Sequence, residues 1–267
     1  MEVYGVYGNK EVPYKEVITT PPPNNGEFVR PDINLRVPTV GKFVQIKHDW
    51  EIINPKTGEY YEPRSKNYKD KDERLYEIFS RVAFTLEQWK ELKEYTERKG
   101  CNFLSTAGDR KSLELLDDLR VDRFKVASDA SSDKSFVNKV MSHCKPVIVS
   151  FGKIRNQEEV ASMIRFFVDT PQAVMYCVSK YPPRFGDVDL RKIRQLRNLL
   201  DKRIKIGFSD HLPIIGSAIA AVAYGARVIE KHVKLDDTEI DAPVSLGKKD
   251  FKIMVNEIRN LEKIIKC

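Results

Sequence analysis

Two short runs decide how this chain folds: Ile204-Lys205-Ile206-Gly207-Phe208-Ser209-Asp210-His211 and Arg227-Val228-Ile229-Glu230-Lys231-His232-Val233. Each is a brief apolar or β-branched stretch, the pattern of a buried strand. Between them, small residues from Gly216 to Tyr224 predict a helix closed by Gly225. A strand-helix-strand unit of this length makes parallel strands, so both imidazoles emerge at one face. A lone histidine is more often a satisfied core or surface residue. Here two of only four histidines stand at equivalent strand ends, and two convergent imidazoles suit a divalent transition metal.

The same alternation extends upstream. Thr85-Leu86-Glu87-Gln88 is a capping box opening an amphipathic helix through Leu92 and Tyr95, stopped by Gly100, and Asn102 to Thr106 follows as a strand. A helix around Lys111 to Leu119 leads to strand Arg123 to Ser128, and one around Asp133 to Ser142 leads to Pro146 to Ser150. Helix Gln157 to Val168 precedes strand Ala173 to Val178, helix Asp189 to Leu200 precedes Ile204 to Phe208, and a last helix spans Lys249 to Lys266. With Lys42 to Lys47, seven strands are recognisable. This spacing predicts an α/β protein, a (β/α)8 TIM-type barrel of parallel strands with right-handed crossovers. An open doubly wound sheet is the alternative, disfavoured because no glycine-rich dinucleotide turn follows the early strands.

Residues 1–41 read differently. Pro13, Pro21, Pro22, Pro23, Pro31 and Pro38 exclude a long helix, and Asn24-Asn25-Gly26 signals a turn. We expect an extended N-terminal arm over 1–41, supplying the missing barrel strand from its first ten residues or from Ile33 to Val37, and a barrel domain over 42–267. A tyrosine-rich charged loop reaches to Asp72, long enough to be functional or disordered.

The 267 residues suit a barrel of roughly 250. No apolar run approaches the roughly 20 residues of a membrane helix, and Met1-Glu2-Val3-Tyr4 lacks a signal-peptide n-region, so the expectation is a cytoplasmic protein with no membrane contact. Cys101, Cys144, Cys177 and Cys267 are widely spaced without a CxxC and read as reduced thiols. The net charge of +7 fits either a nucleic-acid partner or a site for phosphate and carboxylate substrates. The lysines are mixed with acids along helices rather than gathered in a stripe, which favours the second and predicts no nucleic-acid partner.

Barrel chemistry gathers at strand ends. There stand Thr106, Lys125, Ser128, Ser150, Ser179, Tyr181, Ser209, His211 and His232. Hydroxyls, ammonium and imidazole around a metal are what an anionic small molecule needs. Lys125 interrupts an apolar strand, so it faces an anion, a polar barrel mouth or a neighbouring carboxylate.

The runs Phe103-Leu104-Ser105-Thr106, Phe124 to Ser128, Lys145 to Gly152, Cys177-Val178-Ser179-Lys180-Tyr181-Pro182, Gly207 to His211 and Val228 to His232 resemble, in order and spacing, the N-acetylneuraminate (sialic acid) synthase family. The likeness covers about residues 75 to 262. It implies condensation of phosphoenolpyruvate with an N-acylated amino-sugar aldehyde, releasing phosphate and giving a nonulosonic 2-keto acid. It also implies a divalent cofactor, manganese or magnesium, held by His211 and His232. Lys125, Thr106, Ser128, Ser150, Ser179 and Ser209 would hold phosphoenolpyruvate, and Tyr181 and Asp241 match sugar-side positions. The chain departs from the family at its start: the Ala-Glu-Ile-Gly strand and Asn-His-Asn-Gly motif are absent, Tyr4 to Asn9 is the nearest stand-in, and Glu2 is the carboxylate close to it. Where the family has Val-Lys-Phe-Gln, Phe43 to Lys47 reverses the order, although Gln45 and Lys47 still share one strand face and Lys47 could replace the usual lysine. Family members carry a further C-terminal domain that serves the partner's sugar site, so sugar recognition here would call for a homodimer or companion subunit, the basic long loop, or a different acceptor. An active synthase, a catalytically impaired barrel serving binding or assembly, and a metal-dependent aldolase on the same barrel all remain open at this level.

Overall fold

The structure is a computed structural model that describes residues 2–7, 17–18, 84–152, 156–167, 169, 171–237 and 241–265. The expected strand at Lys42 to Lys47, with Gln45 and Lys47, the alternative strand Ile33 to Val37 and the tyrosine-rich loop lie outside these residues. The strands are β1 (Glu2–Tyr7), β2 (Val17–Ile18), β3 (Thr106–Ala107), β4 (Phe124–Val126), β5 (Val147–Phe151), β6 (Ala173–Cys177), β7 (Lys205–Asp210), β8 (Val228–Lys234) and β9 (Leu246–Gly247). The helices are α1 (Leu86–Arg98), α2 (Arg110–Asp118), α3 (Lys134–Met141), α4 (Gln157–Ile164), α5 (Arg191–Leu199), α6 (Gly216–Ala223) and α7 (Lys248–Ile265).

Local chemistry sets the helix boundaries. Thr85 and Gln88 close a capping box on α1, and Asp109 and Ser112 close one on α2; Asp133 and Asn156 cap α3 and α4 by accepting backbone N–H bonds. Each cap satisfies donors that have no partner inside the first helical turn. Gly100 and Gly225, at φ +74° and +100°, end α1 and α6 in the left-handed region that glycine enters without steric cost. The expected strand from Asn102 pairs only from Thr106 onward; Phe103, Leu104 and Ser105 are buried but lie ahead of the ladder.

All strand pairs are parallel, and the sheet order is β2-β1-β8-β7-β6-β5-β4-β3 with β9 beside β8. From β3 to β8 each strand neighbours the next in sequence, with a helix in every crossover. This is the α/β, TIM-type arrangement. β1 lies against β8, with Glu2 level with Val228 and Val6 level with His232.

Because strands β4 to β7 are buried on both faces, alternate residues serve two cores. One set packs against the helices: Phe124, Val126, Val149, Val174, Ile206, Phe208 and Ile229 are all essentially inaccessible. Truncating Phe124 to alanine would cost about 3–5 kcal/mol. The other set, in register across the ladders, comprises Thr106, Lys125, Ile148, Ser150, Ala173, Met175, Gly207, Ser209, Val228, Glu230 and His232. Gly207 has no side chain because Met175 fills that space; a Cβ there would collide with the Met175 thioether. Along β5, β7 and β8 the inner-face positions pass from Ile148, Gly207 and Val228 to Ser150, Ser209, Glu230 and His232, so these strands become polar toward their carboxyl ends. Among the described residues no helix is long and apolar enough to cross a membrane.

Candidate active site

The carboxyl ends of β3 to β8 bring the predicted hydroxyl, lysine and imidazole groups together. Thr106 and Lys125 are register partners on β3 and β4, and both are buried. Lys125 Nζ lies 3.3 Å from Glu230 Oε2. Glu230 Oε1 in turn accepts a 2.7 Å hydrogen bond from the Ser209 hydroxyl. A carboxylate therefore joins the lysine of β4 to the serine of β7 across the inner face of the sheet. Glu230 was not among the residues expected from sequence.

Ser128 and Ser179, just beyond β4 and β6, have their hydroxyl oxygens 2.8 Å apart. Gly152 lies beneath this pair: a Cβ there would collide with Ser179 Oγ and stand 2.6 Å from Cys177 Sγ and 3.2 Å from Ser128 Cβ. Ser150 Oγ is buried and has no hydrogen-bond partner among the described residues. A buried hydroxyl without a partner is costly, and here it lies near the carboxyl end of β5, level with Met175.

His211 follows β7 directly, as predicted, whereas His232 lies inside β8, two residues before its end. The rings are 5.3 Å apart between centroids, and the Tyr181 ring lies 4.2 Å from His211 and 5.7 Å from His232. His211 Nδ1 is 2.8 Å from the Val178 carbonyl oxygen. An accepting carbonyl requires the proton on Nδ1, which makes Nε2 the ring's acceptor atom. His232 Nδ1 lies 3.3 Å from Asp241 Oδ2, and this carboxylate likewise favours the proton at Nδ1. His232 Nε2 is buried without a hydrogen-bond partner among the described residues.

Imidazoles whose outer N–H faces a carboxylate or a carbonyl are arranged as metal-ligating histidines are. The unpartnered Nε2 of His232 and the Nε2 of His211, 3.4 Å from Ser209 Oγ, are of the donor type that ligates a divalent ion. Among the described residues no group of three or more His, Cys, Asp or Glu forms a fuller ligand cluster.

Behind the histidines, on the helix-facing side of the sheet, Asp210 and Lys231 form a fully buried ion pair at 2.8 Å. Burial pushes the Lys231 ammonium down from its ordinary pKa, against the pull of Asp210. In the loop that carries Tyr181, Arg184 and Lys180 hold the Asp187 carboxyl well below the usual carboxylate range.

Two curated relatives and one solved structure show what this chain resembles. It is 34% identical to an uncharacterized protein of Methanocaldococcus jannaschii over 75% of this chain and 60% of that protein. It is 31% identical to the pseudaminic acid synthase of Campylobacter jejuni over 71% of this chain and 56% of that enzyme. The chain thus spans about three fifths of the length of these relatives. The crystal structure of a sialic acid synthetase from Leptospira borgpetersenii, in complex with citrate, superposes with a TM-score of 0.67 at 28% identity, covering 71% of this chain and 67% of that one. The model of the NeuB family matches residues 40–267, a span that includes every polar strand end from Thr106 to Asp241, and the chain belongs to that family.

Proposed function

We propose that this barrel joins phosphoenolpyruvate to an N-acylated amino-sugar aldehyde, giving a sialic-acid-like nonulosonic acid and inorganic phosphate. The observation that carries the reading is the juxtaposition, on one inner face, of a buried lysine and several hydroxyls with two imidazoles 5.3 Å apart, of which His232 keeps an unpartnered buried Nε2 among the described residues. The names of relatives in the family point the same way.

In this reading Thr106, Lys125, Ser128, Ser150, Ser179 and Ser209 bind the phosphate and carboxylate of phosphoenolpyruvate, with Gln45 and Lys47 added from the segment before α1. Ammonium and hydroxyl donors fixed before substrate arrives stabilise charge as it develops without reorganising. His211 and His232 would hold a divalent ion, manganese or magnesium, which when bound supplies a Lewis acid for the aldehyde oxygen. Val178 and Asp241 keep the histidine protons on Nδ1. Tyr181, packed on His211, would border the acceptor sugar and exclude water from its aldehyde end. C3 of phosphoenolpyruvate joins the aldehyde carbon as its C2=C3 double bond opens, and the aldehyde oxygen gains a proton. Water adds at C2; as the C2–O bond to phosphate breaks, the water oxygen becomes the C2 carbonyl, its two protons accounting for the new hydroxyl and the released phosphate.

The test is phosphate release from phosphoenolpyruvate by the purified chain with manganese and N-acetylmannosamine or related N-acylated hexoses. Release dependent on both the hexose and Lys125 supports the reading; no release with any such hexose overturns it. One observation favours a second reading, a barrel that binds these ligands without turnover: the β1 position level with His232 is Val6, and no carboxylate of β1 stands there. Binding of phosphoenolpyruvate and manganese without phosphate release would select it.

A further inference from the structure

We infer that the buried Asp210–Lys231 pair is a positioning device that sets the direction of both histidines. The inference rests on the two-histidine reading above. Asp210 and Lys231 are register partners on β7 and β8, each immediately preceding a histidine in sequence. Both side chains are completely inaccessible. Asp210 Oδ1 accepts the Leu212 amide at 3.0 Å, and Oδ2 accepts the Ser217 hydroxyl at 2.5 Å and the Lys231 ammonium at 2.8 Å. The same ammonium donates to the Leu212 carbonyl.

His211 therefore sits between a residue that accepts the next amide and a residue whose amide and carbonyl are both held. Its backbone is fixed from behind the sheet while Val178 fixes its ring from the front. Through Lys231 the same cluster holds the β8 backbone one residue from His232. Ser217, in the first turn of α6, ties the corner to the helix.

Stability alone does not require this arrangement. A buried ion pair replaced by apolar residues of similar volume is often neutral or stabilising, because desolvating two charges offsets their attraction. What two apolar side chains lack is a set of directional bonds converging on the Leu212 peptide. That is a geometric function, and the groups it orients are the imidazoles.

The test measures manganese affinity by calorimetry on the full chain without substrates, beside circular dichroism and melting curves. In a folded Asp210→Leu/Lys231→Met variant, manganese binding weakens at least about tenfold at temperatures far below the melting transition, the range seen for groups that orient metal ligands. Ser217→Ala, which leaves the ion pair in place, weakens it by a smaller factor. A folded double variant with wild-type affinity overturns the inference. If the double variant does not fold, wild-type affinity in Ser217→Ala overturns it instead. His211→Ala separates the two levels: wild-type affinity there, or no manganese binding by the wild-type chain, overturns the two-histidine reading and the inference with it.

Discussion

Lys125 Nζ and Glu230 Oε2 lie 3.3 Å apart across the inner face of the sheet, each side chain about nine-tenths buried. Glu230 is thus the counter-charge of the lysine to which the proposed function assigns anion binding. Breaking such a buried pair typically costs about 3–5 kcal/mol, so Glu230→Gln is expected to lower the melting temperature. It also removes a negative charge from beside the proposed anion site, so on that reading phosphoenolpyruvate should bind the folded variant severalfold more tightly. Calorimetric titration checks this, and weaker binding would show that Glu230 itself orders the ligand.

Asp241 Oδ2 beside His232 Nδ1 carries a separate expectation. In Asp241→Asn the amide can present either its oxygen or its NH2 group to the ring, so the Nδ1 proton is no longer enforced. Metal affinity should fall about 10–100-fold, as when other partners of ligating histidines are removed, with little change in phosphoenolpyruvate affinity. Equal losses for both ligands would instead indicate a collapsed strand-end loop.

The fold was legible because its signals are local. The capping box at Thr85, Gly100 and Gly225 as helix stops, and short β-branched runs each report on a few neighbouring residues. β3 was over-read by four residues since Phe103 and Leu104 are buried like strand residues without pairing. The histidines were found by position, but Glu230, Asp210 and Lys231 were not, although the two-residue period of a strand contains them. Glu230 is two before His232 and so shares its face; Asp210 and Lys231 each adjoin a histidine and so face the other way. Burial of an acid and a base on the helix side becomes visible only once the two strands are paired.

Acid should weaken this fold through carboxylates held below their ordinary pKa. Lys145 and His143 lower Asp117, Arg184 and Lys180 lower Asp187, and Arg203 lowers Asp201 to about 2. A carboxyl depressed on folding stabilises the native state above its unfolded pKa near about 4, and that contribution is lost as pH falls through the folded value. The urea midpoint should therefore drop between about pH 4 and pH 2. The triple variant Asp117→Asn/Asp187→Asn/Asp201→Asn should show a shallower drop; an unchanged slope would assign acid sensitivity to other groups.

Gly152 links packing to ligand binding. A methyl group at this position meets Ser179 Oγ and Cys177 Sγ and presses on Ser128, so Gly152→Ala must push apart the hydroxyl pair now 2.8 Å across. Overpacking of this kind costs about 1–3 kcal/mol, and phosphoenolpyruvate affinity should fall about tenfold or more. Adding Ser179→Ala relieves the nearest clash and should recover part of the stability. Affinity should stay low, because a donor hydroxyl is then missing. Recovery of both would mean that Ser179 is only an obstacle to a side chain at 152. Recovery of stability alone would mean that Gly152 is glycine because the two serines must stand side by side.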